Sequence, residues 1–180
     1  RRRPFLALGR LGQDRMRTAP VRPAIPIVPV GLRVEGRAVL VVGAGPIAAR
    51  MVLGDPQVDV AVLETARGGL LRAGMGFRHC DVAACLNVKS DHLGLRGVET
   101  LEELAKVKRI PIEVARDTAV LNADDPLCLA MADYTEAKVI CYVTVNPEHQ
   151  LVRAHIRAGG RALALEAGVN GQMITIYDKG

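Results

Sequence analysis

At 180 residues and 49% apolar content, the chain holds about one domain's worth of sequence and can bury a real core. Aromatics make up 3% and Trp is absent, so that core must be aliphatic. The net charge of +5 comes from one end: residues 1–37 hold nine Arg against Asp14 and Glu35 (+7), and residues 38–180 hold 15 Lys and Arg against 17 acids (−2), which excludes the broad basic face of a nucleic-acid binder.

Residues 1–30 are rich in Arg and Pro, and the X-Pro pattern from Pro23 to Pro29 favours extended or polyproline backbone. They read as an irregular arm, separate from a body at 31–180. Gly31 to Arg37 reads as a hairpin edge around Glu35-Gly36. Ala38 to Val42 is a β-branched run and predicts a strand. Pro46 to Leu53 has a helical pattern stopped by Gly54-Asp55-Pro56. Val58 to Leu63 and Asp81 to Leu86 are apolar runs typical of buried parallel strands. Between them, Gly68 to Ala73 predicts a helix ending near Gly74-Met75-Gly76.

Thr100 to Ala115 is the clearest helix. Thr100 and Glu103 form a capping-box pattern, and Leu101, Leu104 and Val107 keep helical spacing. Pro111 predicts a stop or kink near its end. A short strand at Ala119–Leu121, a helix at Pro126–Ala132 with Pro in its first turn and a strand at Lys138–Thr144 follow. Leu151 to Ala158 fits either a strand or a short helix. Arg161–Glu166 and Met173–Tyr177 flank Gly168–Gly171 as a terminal hairpin. Strand–helix alternation with a β-rich tail predicts an α/β fold with a mostly parallel sheet flanked by helices.

Cys80, Cys85, Cys128 and Cys141 form no CxxC pair, so they read as reduced, buried thiols of a cytoplasmic protein. The longest apolar run, residues 38–49, contains two Gly and a Pro and is too short and broken to span a bilayer. No signal peptide is visible. The sequence starts at Arg1 and ends after a strand-like segment, which reads as a fragment.

Three polar motifs follow strand-like runs: Glu64-Thr65-Ala66-Arg67-Gly68-Gly69, Asn87-Val88-Lys89-Ser90-Asp91-His92-Leu93, and Asn122-Ala123-Asp124-Asp125-Pro126. Polar residues at strand ends along one edge of an open α/β sheet build ligand sites there. Glu64 suits Mg²⁺, directly or through water, or equally a helix cap or a salt bridge. His92, oriented by Asn87 and Asp91, suits a metal or a phosphate, or a plain hydrogen bond. Lys108 follows on the next helix and would bring an ammonium to the site, hold a metal if modified, or be solvated. Asn122 and Asp125 suit a base or ribose, and equally an N-terminal helix cap. His79, His149 and His155 have no partner motif and read as structural. Gly43-Ala44-Gly45-Pro46-Ile47-Ala48 resembles a dinucleotide fingerprint, but Pro46 removes an N–H from the anion-binding turn, and a structural turn is the better reading.

Taken together, in this order, these blocks resemble the Mur ligase superfamily, whose members couple ATP hydrolysis to amide-bond formation. The segments Gly45–Pro56, Val58–Arg72, Asn87–Gly97, Thr100–Lys108, Leu121–Pro126 and Tyr142–His149 match in register the branch of that superfamily that polymerises aspartate and arginine. The resemblance implies a central-domain-like, P-loop-type α/β fold. It implies ATP and Mg²⁺ as cofactors, with Glu64 and His92 serving the metal. Lys108 matches a lysine carbamylated in several members and would act with His92 in catalysis. Asn87, Asn122 and Asp125 would contact the nucleotide. It further implies an acyl phosphate intermediate, arginine and an Asp/Arg polypeptide as partners, and a homo-oligomeric full-length enzyme, with neither nucleic acid nor membrane.

The sequence departs from the pattern in places. No GxxGKT[ST] phosphate loop occurs, and residues 1–30 stand where that loop belongs. Ala44 and Ala48 replace the family's Thr and Ser. The closing third domain would lie beyond Gly180. The chain alone is therefore expected to be a poor or inactive catalyst, with an interaction or assembly remnant as the rival reading.

Overall fold

A computed structural model describes residues 30–34, 37–43, 45–90, 93, 94 and 97–178. By internal contacts the chain divides after Phe77 into two compact units. The Arg/Pro-rich arm, save Val30, and the turn at Glu35-Gly36 lie outside the described residues.

The first unit carries β1 (Val30–Val34), β2 (Arg37–Gly43), α1 (Pro46–Gly54), β3 (Val60–Glu64) and α2 (Arg67–Ala73). Its sheet has the order β1-β2-β3. β1 and β2 pair antiparallel with Val34 opposite Arg37, so the expected hairpin register holds. β2 and β3 pair parallel with Gly43 opposite Glu64, joined by α1 as a βαβ unit. α1 begins at Pro46, whose missing N–H costs nothing at a position with no helical acceptor. α2 closes on Gly74 at φ 70°, where glycine carries no Cβ penalty.

The second unit carries β4 (Cys80–Cys85), α3 (Leu101–Glu113), β5 (Ala115–Asn122), α4 (Pro126–Leu129) running into a 3₁₀ turn (Ala130–Tyr134), β6 (Val139–Thr144), α5 (Gln150–Arg157), β7 (Arg161–Gly168) and β8 (Gly171–Tyr177). The five strands follow chain order across the sheet. β4 to β7 are parallel, and β8 returns antiparallel to β7. This is the mostly parallel sheet with flanking helices and β-rich tail that the alternation predicts. The core is aliphatic: Leu104, Ile112, Leu121, Met131 and Val152 are almost wholly buried.

α3 starts with the complete capping box: Thr100 Oγ1 accepts from Glu103 N, and Glu103 Oε2 accepts from Thr100 N. Pro111 does not stop it. Proline sits in the last turn, and the helix runs on to Glu113 because Leu104 and Ile112 anchor its inner face. The Thr135 hydroxyl donates to the Ile112 carbonyl at 2.8 Å and satisfies that end.

Two expectations need correction, and one open alternative is decided. The strand at Ala119–Leu121 is the longer β5: Ala115 pairs with Cys80, Thr118 pairs with both Val82 and Val139, and Arg116 and Asp117 are carried where the register shifts between those pairs. Of the two readings open for Leu151–Ala158, the helix is the one found: α5 covers Gln150–Arg157, with Val152 turned into the core. The runs read as buried strands are only half covered: Val62 is 44%, Val82 58% and Leu86 55% exposed. Among the described residues β3 is the last strand of its sheet and β4 the first of its own, so each has a paired neighbour there on one side only.

Candidate functional site

Parallel strands bring their C-terminal ends to one edge of the second sheet, and the sequence places two of its three polar motifs there. Asn87 lies just beyond β4. Lys108 is one helical turn beyond the buried Leu104, so α3 presents both toward the sheet. Its ammonium donates to the Asn87 backbone carbonyl at 2.9 Å and to Asn87 Oδ1 at 3.4 Å.

Asn122 ends β5. Its Nδ2 donates to the Leu86 carbonyl at 2.8 Å, and its Oδ1 accepts from Asp124 N at 3.0 Å. Asp125 caps α4: Oδ1 accepts from Leu127 N and Cys128 N at 3.0 and 3.2 Å, while Oδ2 accepts from Val88 N at 2.8 Å. Burial pushes the Asp125 carboxyl up. The backbone N–H groups of Val88, Cys128 and Leu127, with Lys89 nearby, outweigh it and hold the group below the ordinary aspartate value. Asn87, Lys108, Asn122 and Asp125 are thus brought together, through bonds that tie the end of β4 to α3 and to the β5 loop.

Sequence reasoning missed the next stitch along this edge. Asp124 Oδ1 accepts from the buried Thr144 hydroxyl at 2.6 Å, and Oδ2 accepts from Val145 N at 2.7 Å. His149, read as structural, donates from Nε2 to the Ala123 carbonyl at 3.1 Å, and its Nδ1 is buried without a hydrogen-bond partner among the described residues. His155 is likewise held, by the Ile140 carbonyl and edge-on to Tyr142. The adjacent acids of the NADD motif carried a capping signal. The Thr144 and Ala123 contacts bridge separate strands and leave no local signature.

Glu64 ends β3 in the first unit and is exposed there. It lines, with Thr65, Ala66, Gly69 and Gly45, a cavity of about 10 Å³, room for one water. Asp91 and His92 lie outside the described residues. Among the described residues no three His, Cys, Asp or Glu converge as a metal cluster.

The glycine fingerprint forms a strand-to-helix turn onto which the chain folds back. Gly76, at φ 75°, lies against Pro46 so closely that a Cβ there would meet the Pro46 carbonyl oxygen at 2.6 Å. Both the backbone angle and the contact require glycine. Gly76→Ala is expected to lower stability by about 2 kcal/mol in urea unfolding; an unchanged midpoint would mean the loop does not pack on α1.

The sequence matches the Mur ligase middle domain family over residues 48–175. It is 53% identical over 126 residues to cyanophycin synthetase of Synechocystis sp., covering 69% of the chain and 14% of that protein. The corresponding protein of Crocosphaera subtropica is 50% identical with the same coverage. UDP-N-acetylmuramoylalanine--D-glutamate ligase of Desulfotalea psychrophila is 36% identical over 100 residues, 54% of the chain and 21% of that protein. A solved structure of UDP-N-acetylmuramoyl-L-alanyl-D-glutamate--2,6-diaminopimelate ligase superposes with TM-score 0.53 and 20% identity, over 76% of this chain and 27% of that one, a likeness of fold. The chain thus spans 14% of the length of the cyanophycin synthetases that it matches.

Proposed function

We propose, from the premise that this chain belongs to the Mur ligase middle-domain family, that it is the nucleotide-handling segment of a cytoplasmic, ATP-dependent ligase that extends an Asp/Arg polymer. The observation that carries the choice within the family is the higher identity to cyanophycin synthetase, 53% against 36% for the glutamate ligase. In this reading ATP phosphorylates a carboxylate to an acyl phosphate, which the amine of arginine then attacks. The full-length enzyme would be a homo-oligomer.

The residues fit such a ligand in kind. Asn122 and Asp125 spend their polar atoms on the chain's own backbone, so they would hold the loop against which a base or ribose lies. Lys108 would bring a cation to that edge, fixed by Asn87. Glu64 offers the hard oxygen that Mg²⁺ takes, and His92 would serve a phosphate or a metal-held water. Magnesium, when bound, would neutralise phosphate charge during the transfer.

A second reading, a non-catalytic assembly module, is favoured by one observation: no GxxGKT[ST] loop exists among the 180 residues. Without it there is no backbone nest or Lys for the β- and γ-phosphates, so the chain alone is proposed to bind nucleotide weakly and not to turn over.

Displacement of a fluorescent ATP analogue separates the readings. Mg-ATP is expected to compete and NAD is not. Competition by NAD alone would move the assignment to a dinucleotide domain, and failure of the analogue to bind would favour the assembly module.

A further inference from the structure

The core of the second unit contains a sulfur pair that the ligase reading does not use. Cys85, the last residue of β4, and Cys128, in the first turn of α4, are 43 residues apart in sequence, and their Sγ atoms lie 3.6 Å apart. Both are free thiols, 6% and 0% exposed. A disulfide needs about 2.05 Å between sulfurs, so the two atoms must approach by about 1.5 Å. Cys80 is placed differently, its thiol directed at the Pro111 carbonyl at 3.7 Å.

We propose that Cys85 and Cys128 form an oxidisable dithiol, a modification site at which a peroxide installs an intrachain disulfide between the end of β4 and α4. The chemistry needs one two-electron oxidant, hydrogen peroxide or an alkyl hydroperoxide. The Cys85 sulfur, having lost its proton, attacks a peroxide oxygen. The O–O bond breaks, and the departing hydroxide or alkoxide takes up that proton. The sulfenic acid left on Cys85 is then attacked by the Cys128 sulfur. An S–S bond forms, the S–O bond breaks, and hydroxide leaves with the Cys128 proton as water. Two thiols are oxidised, and one peroxide bond is reduced.

The surroundings set the order of attack. The hydrogen bond between the two sulfurs is the largest influence and holds the Cys85 thiol below its ordinary value against the opposing effect of burial, with Lys108 nearby a further help. The same contact, together with burial, holds Cys128 above its ordinary value. Cys85 is therefore the nucleophile and Cys128 the resolving thiol. Burial makes the first step slow, since peroxide must enter by local opening. It also shields the sulfenic acid from further oxidation while its partner waits in contact. The product would lock together the elements that carry Asn87 and Asp125.

The test exposes the reduced chain to hydrogen peroxide under native conditions, blocks remaining thiols in denaturant, and maps unreduced peptides by mass spectrometry. A Cys85–Cys128 cross-linked peptide, two hydrogens lighter and reversed by dithiothreitol, is expected. It should persist in Cys80→Ser/Cys141→Ser, which leaves the pair intact. In Cys128→Ser, Cys85 should instead be trapped as a sulfenic-acid adduct by dimedone. The proposal is overturned if both thiols still alkylate after peroxide, or if they reach sulfinic acid with no cross-link. The readout is independent of nucleotide binding, so it can fail while the ligase reading stands.

Discussion

Replacing Asp125 with alanine is expected to destabilise the second unit by about 3 kcal/mol in urea unfolding followed by circular dichroism. The carboxylate accepts three backbone N–H groups, two at the start of α4 and one, from Val88, at the end of β4. Loss of the cap alone costs about 1 kcal/mol. The remainder comes from leaving the Val88 N–H without its acceptor beside the fully buried Cys128 and the buried Val88. Asp125→Asn should fall between, since an amide oxygen can still cap α4 but its NH₂ faces the Val88 donor. The effect has a pH signature. The folded carboxyl titrates below its unfolded value, so its contribution is present above the unfolded value of about 3.9 and is lost as pH falls through the folded one. The wild-type chain should therefore lose stability on acidification in a window where the alanine variant shows less dependence. Equal acid sensitivity in both would remove Asp125 from that role.

Leu104→Ala is expected to cost about 3 kcal/mol, within the range of 2–5 for truncating a wholly buried leucine. Leu104 is 0% exposed and belongs to the core cluster that joins α3 to β4 and β5. Alanine is the better helix former, but by only about 0.2 kcal/mol, too little to offset the cavity. The consequence reaches the candidate site, because Lys108 rides one turn along the same helix and reaches Asn87 only while α3 stays seated. A loss below about 1 kcal/mol would mean that α3 is not packed on the sheet as described.

The difference between local and distant information explains what was legible in the sequence. α3 was legible because a capping box is a four-residue code, and the hairpin β7–β8 because its turn signal is local. The cover over Val62 and Val82 was not, since it depends on sheet order. β5 was cut short because its polar first half looks unlike a strand until its two neighbours are known. At the candidate site, the strand-end motifs placed Asn87, Asn122 and Asp125 along one sheet edge. Their bonding was hidden: Asp125 reaches Val88 across 37 residues, and Asp124 reaches Thr144 across 20. Glu64 and the other described candidates fall in separate compact units, a division with no mark in composition.

The most direct test is calorimetric titration of the chain with Mg-ATP, beside a Glu64→Ala, His92→Ala double variant checked for folding. The proposed nucleotide site predicts saturable heat at concentrations on the order of millimolar, a binding free energy near −4 kcal/mol, and its loss in the variant. No heat from the chain, or equal heat from the variant, would contradict it.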